Sequence, residues 1–291
     1  MQTLGGQAVI EGVMIRNKDI VGIAVRCPDG KITTKRIAFR SWTTKNKFFG
    51  MPVIRGFLSF LEMIVLGIKA LNYSASVALY EDEKVEKSGG PLSSIIVALS
   101  FIAGAALFVA VPIFLTTKIF NVDKEAFLFN LFAGGFRIAI FILYVYILSF
   151  SKDVRRVFSY HGAEHKVVNC YERGDNLQYT SIRRHSRIHK RCGTSFLLAV
   201  LFVAIVSFIF LDSTLLIFLD TVTIFHRIAF HLLILPLIMG VSYEIIKLAG
   251  KDNNFAEFIV QPGLWMQHIT TKEPDEQQIE VAIAALNVVL S

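Results

Sequence analysis

The chain has 291 residues, 54% of them hydrophobic and 18% charged, with a net charge of +7 and a mean hydropathy of +0.55. Soluble domains run nearer a quarter charged, so the apolar excess is more than one globular core can hold, which points to a membrane protein and away from a soluble enzyme. Twenty-five Phe against seven Pro exclude a disordered chain and three unevenly spaced Cys exclude a disulfide-stapled secreted fold, while membrane orientation and anionic headgroups explain the basic charge with no nucleic acid.

Residues 1–55 are expected to form a small β-domain. Ile20–Arg26 and Ile32–Phe39 are runs rich in β-branched residues on either side of Cys27-Pro-Asp-Gly30, a turn sequence, and Gln7–Ile15 is their partner strand. This region has no apolar core of the length a cleavable signal needs. Residues 56–91 contain Gly56–Leu79, where Glu62 and Lys69 interrupt an apolar pattern. That pattern suits an amphipathic helix at the membrane interface, followed by a charged linker at Glu81–Gly90. Residues 92–150 carry two spans, Leu92–Leu115 without a charge and Ala126–Phe150 interrupted only by Arg137. Arg137 lies near mid-membrane and needs a partner that the sequence does not identify.

Residues 151–193 form a loop, and residues 194–248 carry two further spans, Thr194–Leu211 and Val222–Tyr243, the latter with His226, Arg227 and His231 in its first half. Thirteen Lys/Arg precede the first span and ten fall in 151–193, against only Lys118 and Lys124 between the first two spans and none in Asp212–Thr221. Basic residues mark the cytoplasmic side, which places the central loop and both termini there. In residues 249–291, Pro262-Gly263 is expected to break the chain before Leu264–Ile269. A last helix then runs to about Val289, and its stripe of Ile279, Ala282, Leu286 and Val289 docks on other cytoplasmic elements. The expected fold class is an α-helical polytopic membrane protein of about four transmembrane helices, with a cytoplasmic N-terminal β-domain and a C-terminal cytoplasmic helix.

The central loop carries His161-Gly-Ala-Glu164-His165, an H-x-x-E-H pattern. Residues four apart on a helix share a face, so both imidazoles can meet one ion with Glu164 beside them, ready to take a proton from water. His185, His189 and Cys192 follow at spacings of four and three, again one face if helical, and four of the seven His fall in residues 161–192. His161, His165, His189 and Cys192 suffice for a divalent metal, zinc first. Three protein ligands plus water suit catalysis and four suit structure. His185 reads as a surface residue among arginines. Glu244, ending the fourth span on the side of Cys192, is either a further metal ligand or the ion-pair partner of Lys247 or an arginine. Glu11, between glycines, is a further candidate or a structural residue.

The blocks Gly5-Gly-Gln-Ala-Val-Ile-Glu-Gly-Val-Met-Ile-Arg16, Tyr160-His-Gly-Ala-Glu-His-Lys166, His189-Lys-Arg-Cys-Gly-Thr-Ser195, Ser242-Tyr-Glu-Ile-Ile-Lys247 and Pro262-Gly-Leu-Trp-Met-Gln267 with Thr270-Thr-Lys-Glu-Pro274 resemble those of the YqhQ-like bacterial membrane proteins, over essentially the whole chain. The resemblance implies a multi-pass protein of the bacterial inner membrane with a metal-dependent enzyme site, and no substrate. Where the family pattern often has Pro, this chain has Lys190, a change that leaves ligation undisturbed. Two function classes stay open. One is a membrane-embedded metal hydrolase acting on a peptide or lipid-linked substrate, with Glu164 as general base and Arg191 or Lys166 facing developing oxyanion charge. The other is a non-enzymatic assembly or scaffold protein, with a closed zinc site stapling the loop and a β-domain that meets a membrane-protein partner. Transport, suggested by Arg137, Arg227 and His231, is opposed by the small number of spans and the lack of an inverted repeat.

Overall fold

Four short strands open the chain in the computed structural model, which describes residues 4–79, 91–120, 122–219, 221–250 and 254–291. The expected linker at Glu81–Gly90 lies outside the described residues. Strands β1 (Gly5–Val9), β2 (Gly12–Asn17), β3 (Ile20–Arg26) and β4 (Ile32–Ala38) form one antiparallel sheet in sequential order. The hairpin about Cys27–Gly30 is as expected, with Gly30 at φ +86 and its N–H donating to Cys27 O at 2.9 Å. The single strand expected at Gln7–Ile15 is instead two, because Glu11 adopts φ +51 and folds Gln7 back onto Met14. No Pro, Asn or Asp marks that turn, so the apolar run reads as continuous. Both faces of the sheet are covered. Val13, Ile15 and Ala24 face one core, while Val9, Met14, Val21, Ile23 and Val25 face Leu66 and Ala70 on the other side.

Leu66 and Ala70 belong to α1 (Ile54–Ala78), the expected amphipathic helix. Its interrupting acid is buried for a reason: the Glu62 carboxylate accepts the Trp42 N–H at 2.5 Å and the Ser41 hydroxyl at 2.9 Å. Four other helices are long and apolar enough to cross a membrane, covering Ala98–Ile119, Ala126–Leu148, Gly193–Phe218 and Ile224–Ala249. The first is a composite rod of α2 (Pro91–Ala105), a π turn (Ala106–Ala110) and α3 (Val111–Ile119). The others are α4 (Ala126–Leu148), α7 (Gly193–Phe218) and α8 (Ile224–Ala249). Helices α4 and α7 run antiparallel, since Asn130 meets Asp212 and Val145 packs with Leu198. The short link from α7 to α8 makes a second hairpin. The end of α4, the start of α7 and the end of α8 therefore lie at one end of the bundle.

The third span passes its expected limit at Leu211 and runs to Phe218, with Asp212 buried inside. Pairing makes this acid tolerable: Asp212 lies 3.2 Å from Arg227 Nε and 3.0 Å from His231 Nε2, and accepts Asn130 Nδ2 at 2.8 Å. Arg137 finds its partners in the same network. Its Nη2 is 3.4 Å from His231 Nδ1 and its guanidinium stands 4.8 Å over the Phe208 ring. Its Nε donates to Phe108 O at 3.3 Å, a carbonyl to which Pro112, four residues on, brings no N–H.

The remaining helices are α5 (Lys152–Arg173), α6 (Tyr179–Ile182), α9 (Asn254–Thr270) and α10 (Glu276–Leu290). Contrary to expectation, α9 passes straight through Pro262-Gly263. Pro262 is exposed, where its missing N–H costs least, and Gly263 packs so tightly on α7 that an added Cβ would stand 2.3 Å from Ser195 Cα. Helix α10 begins at Asp275, whose side chain and that of Gln278 cap it reciprocally. Its expected stripe of Ile279, Ala282, Leu286 and Val289 joins the core formed with Val13, Ile15 and Ala24 of the sheet and Tyr160, Ala163 and Val167 of α5.

Candidate metal centre

Helix α5 leaves the bundle immediately after α4, starting at Lys152, and ends on Gly174 in the left-handed conformation at φ +76. Its run from Gly162 to Val168 is wholly buried, between the sheet and α10 on one side and the 183–192 segment on the other. As the four-residue spacing requires, His161 and His165 lie side by side, ring centroids 4.3 Å apart. Each is tethered from behind: His161 Nδ1 donates to Thr270 O at 2.9 Å and His165 Nδ1 to Arg187 O at 2.6 Å. A carbonyl can only accept, so each Nδ1 carries the proton and each Nε2 is left as a lone-pair donor. Ligating imidazoles are oriented in this way.

Cys192 caps the N-terminus of α7 and brings its Sγ to 3.3 Å from His161 Nε2. One ligand atom from each of His161, His165 and Cys192 lies within 4.8 Å of the other two. Glu164 is buried beside them, with Oε2 3.5 Å from His165 Nε2. Burial pushes the Glu164 carboxyl above the ordinary carboxylate range, against the pull of His161 and His189, and pushes His165 below the ordinary imidazole range. A cavity of about 20 Å³ opens here, lined by Leu4, Gly6, Glu164, His165, His189 and Cys192 among others. That is room for one water.

The other expected site residues lie around this cluster or away from it. Residues 183–192 are not a helix, since α6 stops at Ile182, so His185, His189 and Cys192 do not share a helical face. Side chains hold the segment instead: Asn169 Nδ2 donates to Ser186 O, and Gln267 both accepts from His189 N and donates to His189 O. His189 lines the cavity, but its Nε2 faces Glu172 at 3.4 Å. Arg191 also lines it, gripped by Glu172. His185 is buried against Asp175 at 3.1 Å, where a surface residue was expected. Lys166 is committed to Glu273 at 2.6 Å. Glu244 pairs with Arg55 through both oxygens, at 2.7 and 2.5 Å, the ion-pair arrangement and not a member of the His/Cys group. Glu11 pairs with Arg156 and accepts from the Tyr160 hydroxyl.

Several residues of the site escape sequence reasoning. Glu172 joins His189 to Arg191; these two partners outweigh the opposing effect of burial and hold its carboxyl below the ordinary range. Its place seven residues after His165, two helical turns along α5, is a signal that could have found it. Gly6 lies so close over Glu164 that a Cβ would stand 2.2 Å from its Oε1. The Thr270 and Arg187 carbonyls carry no sequence signal.

Residues 51–291, which include both histidines and Cys192, match the family described as "Protein of unknown function (DUF1385)". The chain belongs to this family. It is also 33% identical, over 98% of its own length and 92% of the relative's, to the "Uncharacterized protein YqhQ" of Bacillus subtilis (strain 168). No solved structure matches. The family match begins at Met51 and so leaves out the strand that carries Gly6, which the alignment with the Bacillus subtilis relative reaches through its nearly full length.

Proposed function

We propose that the chain is a zinc-dependent hydrolase working at the membrane surface on a peptide or lipid-linked substrate, with His161, His165 and Cys192 as the metal ligands. One observation carries the reading: three potential ligand atoms converge, both imidazoles tethered from behind, next to a buried carboxyl and a space the size of one water. The donor set fits. Zinc binds nitrogen and sulfur at about 2.0–2.3 Å, which places tetrahedral ligand atoms roughly 3.5 Å apart, close to the 3.3 Å between His161 and Cys192. When bound, zinc supplies a Lewis acid that brings the pKa of water to about 7.

The chain's own residues then do the rest. Glu164, buried with its Oε2 3.5 Å from His165 Nε2, takes the proton of the attacking water and returns it to the leaving group. Arg191, held by Glu172 at the cavity wall, offsets oxyanion charge. His189 and Glu244 stand outside this ligand set. In this reading the end of the bundle that holds the site and both termini face the cytoplasm of an inner membrane, a placement supported by the distribution of Lys/Arg.

In a complementation assay, Glu164→Gln is expected to abolish function with zinc content and folded yield near wild type, because loss of a general base costs about 10²–10⁴-fold in rate. A second reading, a structural zinc staple in a membrane assembly protein, draws on the enclosure of the cavity, which has no room for a substrate. It predicts the reverse pattern: Glu164→Gln is mild and His161→Ala sharply lowers folded yield. Full function in Glu164→Gln that retains its metal rules out the hydrolase.

A further inference from the structure

A second hollow, open and about 600 Å³ in volume, lies where α4 hands over to α5, on the side of α5 that begins with Lys152. Its wall brings together Lys152, Arg155, Arg156 and Lys272, with Asp153 and Glu273 as the acids among its described residues. Two of these charges are already neutralised elsewhere, since Arg156 is held by Glu11 and Glu273 by Lys166. The side chains of Lys152, Arg155 and Lys272 have no hydrogen-bond or ion-pair partner among the described residues, leaving three cations against Asp153.

The hollow is also fixed in depth. Lys152 follows the apolar α4 by four residues, and the intervening Phe150 is 67% exposed and packs edge-on against the half-exposed Tyr146, ring centroids 5.0 Å apart. From the other side, α9 arrives with Trp265 65% exposed and ends two residues before Lys272. Exposed aromatics at the ends of apolar helices mark the level of the headgroups. Lys272 is locked at this level, because its N–H donates to Phe158 O at 2.8 Å and its carbonyl lies where a Cβ on Gly162 would stand.

We infer that this hollow is a binding site for the phosphate of an anionic membrane phospholipid, gripped by Lys152, Arg155 and Lys272. The assignment does not depend on the His/Cys cluster holding a metal. Phosphate diesters of lipids and free phosphate share this chemistry, but the flanking aromatics place the cations where only a lipid delivers its phosphate, with the acyl chains running along α4 and α9.

The test is native mass spectrometry of the full-length protein in detergent, titrated with phosphatidylglycerol, phosphatidylcholine or inorganic phosphate. Wild type is expected to hold phosphatidylglycerol over phosphatidylcholine. The triple variant Lys152→Gln, Arg155→Gln, Lys272→Gln should bind phosphatidylglycerol at least about tenfold more weakly. The exposed single variant Arg155→Gln should show part of that loss, and Arg184→Gln, outside the hollow, none. Unchanged phosphatidylglycerol binding in the triple variant leaves the hollow to a soluble acidic partner and overturns the inference. So does displacement of phosphatidylglycerol from wild type by an equal concentration of inorganic phosphate.

Discussion

Single atoms decide the candidate centre. The two Nδ1–H groups given to the Thr270 and Arg187 carbonyls are what leave the Nε2 lone pairs of His161 and His165 available to an ion. The Glu164 carboxyl is positioned from above by an absence, the missing Cβ of Gly6. This contact separates two adjacent glycines. At Gly5 an added methyl meets nothing within 4 Å, whereas at Gly6 it meets Glu164 at 2.2 Å. Gly6→Ala is therefore expected to lower stability by about 1–3 kcal/mol, the usual cost of overpacking, and to displace Glu164, while Gly5→Ala is near neutral. Thermal unfolding of the two variants in detergent checks this, and equal midpoints would show that β1 does not press on the site.

At the scale of elements, the bundle is pinned by a polar network and the layer outside it by glycine contacts. Asp212 on α7 joins Arg227 and His231 on α8 to Asn130 on α4, and His231 reaches on to Arg137. Removing this buried acid leaves Arg137 and His231 without their counter-charge and Arg227 with only the partly exposed Asp123. Asp212→Asn should accordingly destabilise by about 3–5 kcal/mol, the range for breaking a buried ion pair. The partly exposed Asp123, 3.9 Å from Arg227, should matter by about 1 kcal/mol or less when changed to Asn. Chemical denaturation of both proteins is the check, and similar losses for the two would contradict the network's role. The same pairing explains what sequence reading could and could not reach. Long apolar runs announce α4, α7 and α8, and β-branched runs announce β3 and β4. Yet an acid that looks like a loop residue is acceptable inside α7 only because of partners 15, 19 and 82 positions away. Likewise Pro262-Gly263 signals a break until Ser195 of α7 is found against Gly263. Local pattern carries the element, and long-range packing moves its ends.

Across the whole molecule, the candidate centre sits where the layer of the sheet, α5 and α10 meets the end of the bundle. Residues far apart in sequence close it: Gly6 from β1, the two histidines and Glu164 from α5, Cys192 from the start of α7, and Thr270 from the end of α9. The H-x-x-E-H spacing made the α5 portion legible, because a helix of that length brings residues four apart together. The contribution of Cys192 was legible only as a residue type nearby, since it arrives through a helix cap and not along a helical face with His185 and His189. Glu244 read equally well as ligand or ion-pair partner until Arg55, 189 positions away, was found against it. The most direct test of the centre is zinc X-ray absorption on the purified full-length protein, with metal content measured on the same sample. The expected result is about one zinc per chain with a single sulfur at about 2.3 Å and the remaining ligands nitrogen or oxygen, the sulfur contribution vanishing in Cys192→Ser. A protein that carries no zinc, or a zinc whose shell lacks sulfur, would contradict it.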